Sequence, residues 1–221
     1  MQNGWKGAVK LRVNADAMTL YAVTDRTWVE DTTLMDQVKE ALEGGITFLQ
    51  LREKHLSKEE FIKEAREMKE LSKKYKVPFV INDNIEVALA VDADGVHIGQ
   101  DDMSVEEARK LLGEDKIIGV SAHNVEEAIK AQKGGADYLG VGAVCATSTK
   151  KDANVVSKEE IKKICHTAEI PVVAIGGIKK ENIKTLEGTD VDAVVSAIFA
   201  AKDIKKDTKQ LRSLVEEMKQ K

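Results

Sequence analysis

An α/β fold, specifically a closed (β/α)8 TIM barrel, is predicted from three observations: eight short apolar strands, helix-start signals between them, and glycines where the helices should end. The strands read over Thr19 to Thr24, Phe48 to Arg52, Phe79 to Asn82, Gly95 to Ile98, Ile117 to Ser121, Tyr138 to Gly142, Val172 to Ile175 and Ala193 to Ser196. Several are near-continuous Val, Ile, Ala and Leu, the composition of a parallel sheet covered by helices on its outer face and filled on its inner one. Capping boxes at Ser57-x-x-Glu60, Ser104-x-x-Glu107, Asn124-x-x-Glu127 and Ser157-x-x-Glu160 offer oxygens to the free N–H groups of a first helical turn. Gly44-Gly45, Gly113, Gly134-Gly135 and Gly188 supply the left-handed turns that end helices. The only prolines, Pro78 and Pro171, each sit directly before a strand, where a missing donor does least damage. Eight βα units with right-handed crossovers favour a closed barrel over an open doubly wound sheet.

The chain of 221 residues suits the lower end of a single barrel, so one domain over 1–221 is expected, with 1–17 as an N-terminal extension or helix. The hydrophobic share of 43% and charged share of 33% are those of a globular protein with a sizeable core. A formal charge of −4 argues against a nucleic-acid surface, and charged residues mix signs at helical spacing. No apolar run approaches the roughly 20 residues of a membrane span. The first residues show no signal-peptide pattern, so a cytoplasmic location is expected. Cys145 and Cys165 have no flanking Cys or His ladder and read as free thiols.

In a barrel of this kind, functional groups collect after the C-terminal ends of the strands. The unusual residues of this chain all fall there. Alternation sends Leu49 and Leu51 to one face of the second strand and Phe48, Gln50 and Arg52 to the other, putting polar groups where a core would be apolar. The third strand ends in Asn82-Asp83, the fourth in Gly99-Gln100-Asp101-Asp102 and the fifth in Ser121-Ala122-His123. Asp83 and Asp102 end adjacent strands, and two nearby carboxylates repel unless a proton or cation lies between them; Mg2+ is the expected cation. The competing reading has Asp83 capping the next helix through Asp83-x-x-Glu86. The sixth strand runs into Ala143 to Asp152, a long loop rich in hydroxyls and cations that reads as a binding loop or lid. Gly176-Gly177-Ile178 and Ser196-Ala197-Ile198 each precede an expected helix start, the usual barrel position for a phosphate, although a Gly-Gly pair also makes a plain tight turn. Arg52, Lys54 and Lys150 supply more positive charge than one monophosphate needs, which implies two phosphorylated substrates. With no nucleophile and base pair in view, the chemistry is expected to rest on electrostatic stabilisation of a leaving group. His97 alternates with Val96 and Ile98 and reads as an interior residue, His123 either lines the site or is solvated, His55 has no clear partner, and His166 falls late in a helix and reads as structural.

Leu20-Tyr21-Ala22-Val23-Thr24-Asp25, Gln50-Leu51-Arg52-Glu53-Lys54, Ile81-Asn82-Asp83, Val96 to Asp102, Gly119-Val120-Ser121, Thr147 to Asp152, Gly176-Gly177-Ile178 and Val195-Ser196, in this order, resemble the thiamine-phosphate synthase family. The resemblance implies that hydroxymethylpyrimidine diphosphate is joined to hydroxyethylthiazole phosphate, giving thiamine phosphate and pyrophosphate by a dissociative, magnesium-assisted route. It implies that Gln50, Arg52, Lys54, Asn82, Ser121 and Lys150 hold the pyrimidine diphosphate, with Leu51 and Glu53 in the same binding segment. By the same resemblance Asp83 and Asp102 hold Mg2+, and Thr147, Ser148, Thr149, Gly177, Val195 and Ser196 receive the thiazole phosphate. Arg52, Lys54, Ser121 and Lys150 are the residues it marks as catalytic. One departure is visible: the family usually carries an aromatic and a proline before the Thr-x-Thr-Lys segment, where this chain has Cys145-Ala146. The alternatives are the related thiazole tautomerase, which needs no diphosphate site, and a non-catalytic barrel that binds a phosphorylated metabolite.

Overall fold

Eight strands pair in parallel, in sequence order, around a closed ring in the computed structural model, which describes residues 12–145, 155–196 and 198–219. They are β1 (Leu20–Val23), β2 (Phe48–Leu51), β3 (Phe79–Asn82), β4 (Gly95–Ile98), β5 (Ile117–Ala122), β6 (Tyr138–Val141), β7 (Val172–Ile178) and β8 (Ala193–Ser196). Closure comes from β1 pairing with β8 through Leu20 with Val194 and Tyr21 with Val195. The helices are α1 (Leu34–Gly44), α2 (Lys58–Lys74), α3 (Ile85–Ala90), α4 (Val105–Leu112), α5 (Val125–Gly134), α6 (Lys158–Thr167) and α7 (Ile204–Lys219). No helix among the described residues is long and apolar enough to cross a membrane.

The period-2 alternation of each strand divides the apolar residues into two cores. Leu20, Leu49, Leu51, Phe79, Ile81, Val96 and Ile98 face outward and pack with the helices. Tyr21, Phe48, Val80, Ile117, Tyr138, Val173 and Ala193 fill the barrel, and Val13 and Met18 of the N-terminal segment join them at its lower end. That lower end is tied by Asp137, whose carboxylate takes Arg12 Nη1 at 2.8 Å, Arg109 Nη2 at 2.7 Å and the N–H of Ile118 at 2.8 Å.

Helix starts follow the capping chemistry with local variations. Ser57 with Glu60 and Ser104 with Glu107 form reciprocal capping boxes, as Thr33 with Asp36 does at α1. Asn124 and Ser157 cap α5 and α6, but Glu127 turns to the N–H of His123 and Glu160 to the N–H of Val125. The helix α3 is capped by Asn84, so Asp83 is left for other work.

The expected helix start after the seventh strand is absent. The chain there makes only a 3-10 turn, Ile183–Leu186, and β8 is followed by another, Ile198–Ala200, before α7. Gly176 and Gly177 have φ of 94° and 69°, and the Asn182 side chain accepts from the N–H of Lys179 while donating to the carbonyl of Gly177. These bonds fold the segment back on itself before an α-helix can begin.

Candidate active site

The ends of β2, β3 and β4 bring together Lys54, Asn82, Asp83 and Asp102. Lys54 Nζ lies 2.5 Å from Asp83 Oδ2, and Asn82 Nδ2 donates to Asp83 Oδ1 at 2.7 Å. Asp83 has φ of 59°, a left-handed conformation that Asp tolerates better than most residues, and its N–H donates to the carbonyl of His97 at 2.8 Å. Across the cleft, Asp102 Oδ2 accepts the N–H of Gly99 at 2.7 Å, which fixes its carboxylate at the end of β4. The two carboxylates are near enough for one to bear on the ionisation of the other. Burial, chiefly, raises the Asp83 pKa; Lys54 opposes the shift and the neighbouring Asp102 adds to it.

A divalent cation fits this donor set. Two neighbouring carboxylates carry more negative charge than Lys54 neutralises, and hydrogen-bond donors aim both, at the two oxygens of Asp83 and at Oδ2 of Asp102. Among the described residues no group of three or more His, Cys, Asp or Glu gathers to cage a metal.

Gln50, buried inside the barrel as its alternation requires, donates to the hydroxyl of Tyr21 at 2.6 Å. Arg52 is half-buried; its N–H donates to Thr24 Oγ1 at 2.9 Å, and among the described residues nothing pairs with its guanidinium. Ser121 Oγ lies 3.0 Å from His97 Nε2, and the Ser121 carbonyl accepts from Gln100 Nε2 at 2.6 Å. Leu51 is fully buried in the outer core, and the Glu53 side chain, 3% exposed, turns to Arg26 at 2.7 Å, so either residue would meet a ligand through its backbone. Gly177 stands beside the end of β8, where Ile178 pairs with Ser196. The side chains of Val195 and Ser196, and all of Thr147, Ser148, Thr149 and Lys150, lie outside the described residues.

His97 is an interior residue, as alternation predicts. His123 is exposed and paired with Glu127 Oε2 at 2.8 Å, while His55 and His166 are exposed. Burial pushes the Cys165 thiol up to about 12, which makes it inert at neutral pH. The sequence reading missed Tyr21 and Tyr138, which are fully buried and hydrogen-bonded to each other at 2.7 Å. Only the fold shows their place: a Cβ at Gly119 would fall 2.0 Å from Tyr138 Cζ, so the glycine makes room for the phenol.

A parallel barrel with cationic and neighbouring acidic side chains at the C-terminal ends of its strands defines a (β/α)8 enzyme that acts on an anionic ligand. The pattern of the family described as thiamine monophosphate synthase matches residues 20–198. The chain belongs to that family. It is 50% identical to thiamine-phosphate synthase of Clostridium acetobutylicum, covering 89% of this chain and 94% of the relative. With thiamine-phosphate synthase of Ruminiclostridium cellulolyticum the identity is 52%, over 87% of this chain and 93% of that one. Among solved structures, thiamine phosphate pyrophosphorylase from Pyrococcus furiosus superposes with a TM-score of 0.85 at 41% identity, covering 92% of this chain and 98% of its own.

Proposed function

We propose that this protein is a thiamine-phosphate synthase carried on one barrel domain, joining hydroxymethylpyrimidine diphosphate to hydroxyethylthiazole phosphate with release of pyrophosphate. The carbon–oxygen bond to the diphosphate breaks, its electron pair leaves on pyrophosphate, and the lone pair of the thiazole nitrogen forms the new carbon–nitrogen bond. No proton has to move. Arg52, Lys54 and Lys150 donate to the departing diphosphate, with Asn82, Gln50 and Ser121 fixing the rest of that substrate. Asp83 and Asp102 would hold Mg2+, which when bound neutralises charge on the leaving group. Thr147, Ser148, Thr149, Gly177, Val195 and Ser196 receive the thiazole phosphate, and the loop after β6 keeps water from the pyrimidine cation. Leu51 and Glu53 seat the binding segment from below. The free thiols and phosphorylated substrates suit the cytoplasm.

The observation that supports this reading most is the meeting of Lys54, Asn82, Asp83 and Asp102 at three consecutive strand ends. A tautomerase or a metabolite sensor has no use for that group. The test is to mix both substrates with the enzyme, with and without Mg2+, and follow pyrophosphate. Release that needs both substrates and the metal is expected; a protein that binds the thiazole phosphate and releases no pyrophosphate would overturn the proposal.

A further inference from the structure

An unbroken line of side-chain hydrogen bonds crosses the barrel interior. Gln50 Nε2 meets the Tyr21 hydroxyl at 2.6 Å, Tyr21 meets the Tyr138 hydroxyl at 2.7 Å, Tyr138 meets His97 Nδ1 at 3.0 Å, and His97 Nε2 meets Ser121 Oγ at 3.0 Å. Both ends are residues assigned above to the pyrimidine diphosphate. The three in the middle have no assigned role. The line occupies space that two strands vacate for it: a Cβ at Gly119 would lie 2.3 Å from the Tyr138 hydroxyl, and one at Gly140 would lie 2.8 Å from His97 Cε1.

Proton counting gives the line a direction. An amide Nε2 only donates, so Tyr21 accepts from Gln50 and its single proton goes on to Tyr138. Burial raises the pKa of both phenols, so each keeps that proton. Tyr138, accepting from Tyr21, donates to His97 Nδ1. A neutral imidazole that accepts at Nδ1 carries its proton on Nε2 and donates to Ser121 Oγ. The Ser121 proton is then committed to none of the other four groups in the line.

We propose that Tyr21, Tyr138 and His97 are positioning residues, a one-way relay that holds His97 as its Nε2–H tautomer and presents Ser121 as a hydrogen-bond donor to the diphosphate. The destination of the Ser121 proton rests on the function proposed above; the polarity of the relay does not. A donor aimed before the substrate arrives strengthens its contact as charge develops on the leaving oxygens.

The test is 15N NMR of His97 in the free enzyme. The expected signal is Nε2–H. Gln50→Glu places an acceptor at the Tyr21 end, which should reverse every bond and move the proton to Nδ1. Tyr138→Phe, an isosteric change that cuts the line, should give a mixture of both tautomers, lower kcat about tenfold and leave the KM for the thiazole phosphate unchanged. A merely structural role would not move the tautomer. Wild-type His97 found as Nδ1–H or doubly protonated, or a tautomer untouched by Gln50→Glu or by Tyr138→Phe, would overturn the relay. Absence of pyrophosphate release with a correct tautomer would instead remove the proposed function and leave the polarity standing.

Discussion

Asp83 carries the sharpest local conflict in the molecule. Its backbone is left-handed, its carboxylate is half-buried, and Asp102 stands against it. Because burial and Asp102 raise its pKa in the folded state, ionising it weakens the fold. The penalty is absent below the ordinary carboxylate range and grows as pH rises through the folded-state value. Asp83→Asn, which tolerates the same backbone conformation, should therefore melt at a higher temperature than the parent at pH 8, with the difference vanishing below about pH 4. The same variant should lose roughly a hundred-fold or more in turnover, the scale of removing one preorganised electrostatic group. Calorimetry across pH and an activity assay check both halves. At this scale the sequence left two readings of Asp83 open, cap or ligand, because Asp83-x-x-Glu86 satisfies the capping pattern. The structure removes the capping reading: Asn84, one residue on, is the cap, its side chain accepting from the N–H of Val87. Glu53 sits amid a string of site residues, yet only the fold reveals that Arg26 draws it away from the rim.

Among the elements, the strands were the most legible. A parallel strand buried on both faces leaves a short apolar run, and each of the eight runs lies within two or three residues of the strand observed. The helices were legible at their starts because a cap is a local event that Ser, Asn and Glu announce. The segment after β7 was not, since its path depends on Asn182 reaching back to Gly177 across several residues. The packing of β5 against β6 was likewise hidden. Nothing in the spacing of Gly119 and Tyr138 shows that they are partners in register across the sheet. Gly119→Ala tests that packing: a methyl group about 2 Å from the Tyr138 ring forces the phenol to move, and overpacking of this kind costs roughly 1–3 kcal/mol or more. Urea unfolding measures the loss, and the same variant should disturb the His97 signal.

The whole molecule divides its tasks between the two ends of the barrel. The N-terminal end holds the fold together through Asp137 and its two arginines, whereas the C-terminal end gathers the exposed charge. Asp137→Ala strands two partly buried guanidinium groups and should cost on the order of 3 kcal/mol in denaturant unfolding. Its kcat, measured where the variant is still folded, should stay within about twofold of the parent. That polarity was readable from sequence alone because the unusual residues fell after strands. The depth of the interior relay was not, because residues as distant as Tyr21 and Tyr138 meet only when the barrel closes. Under the proposed function, the acidic pair and the cations grip a metal-chelated diphosphate at one rim. Mn2+ titrated into the enzyme with pyrophosphate present, followed by electron paramagnetic resonance, addresses this most directly. One bound Mn2+ that requires pyrophosphate and disappears in both Asp83→Asn and Asp102→Asn is the expected result. Binding that ignores pyrophosphate, or survives both substitutions, would contradict it.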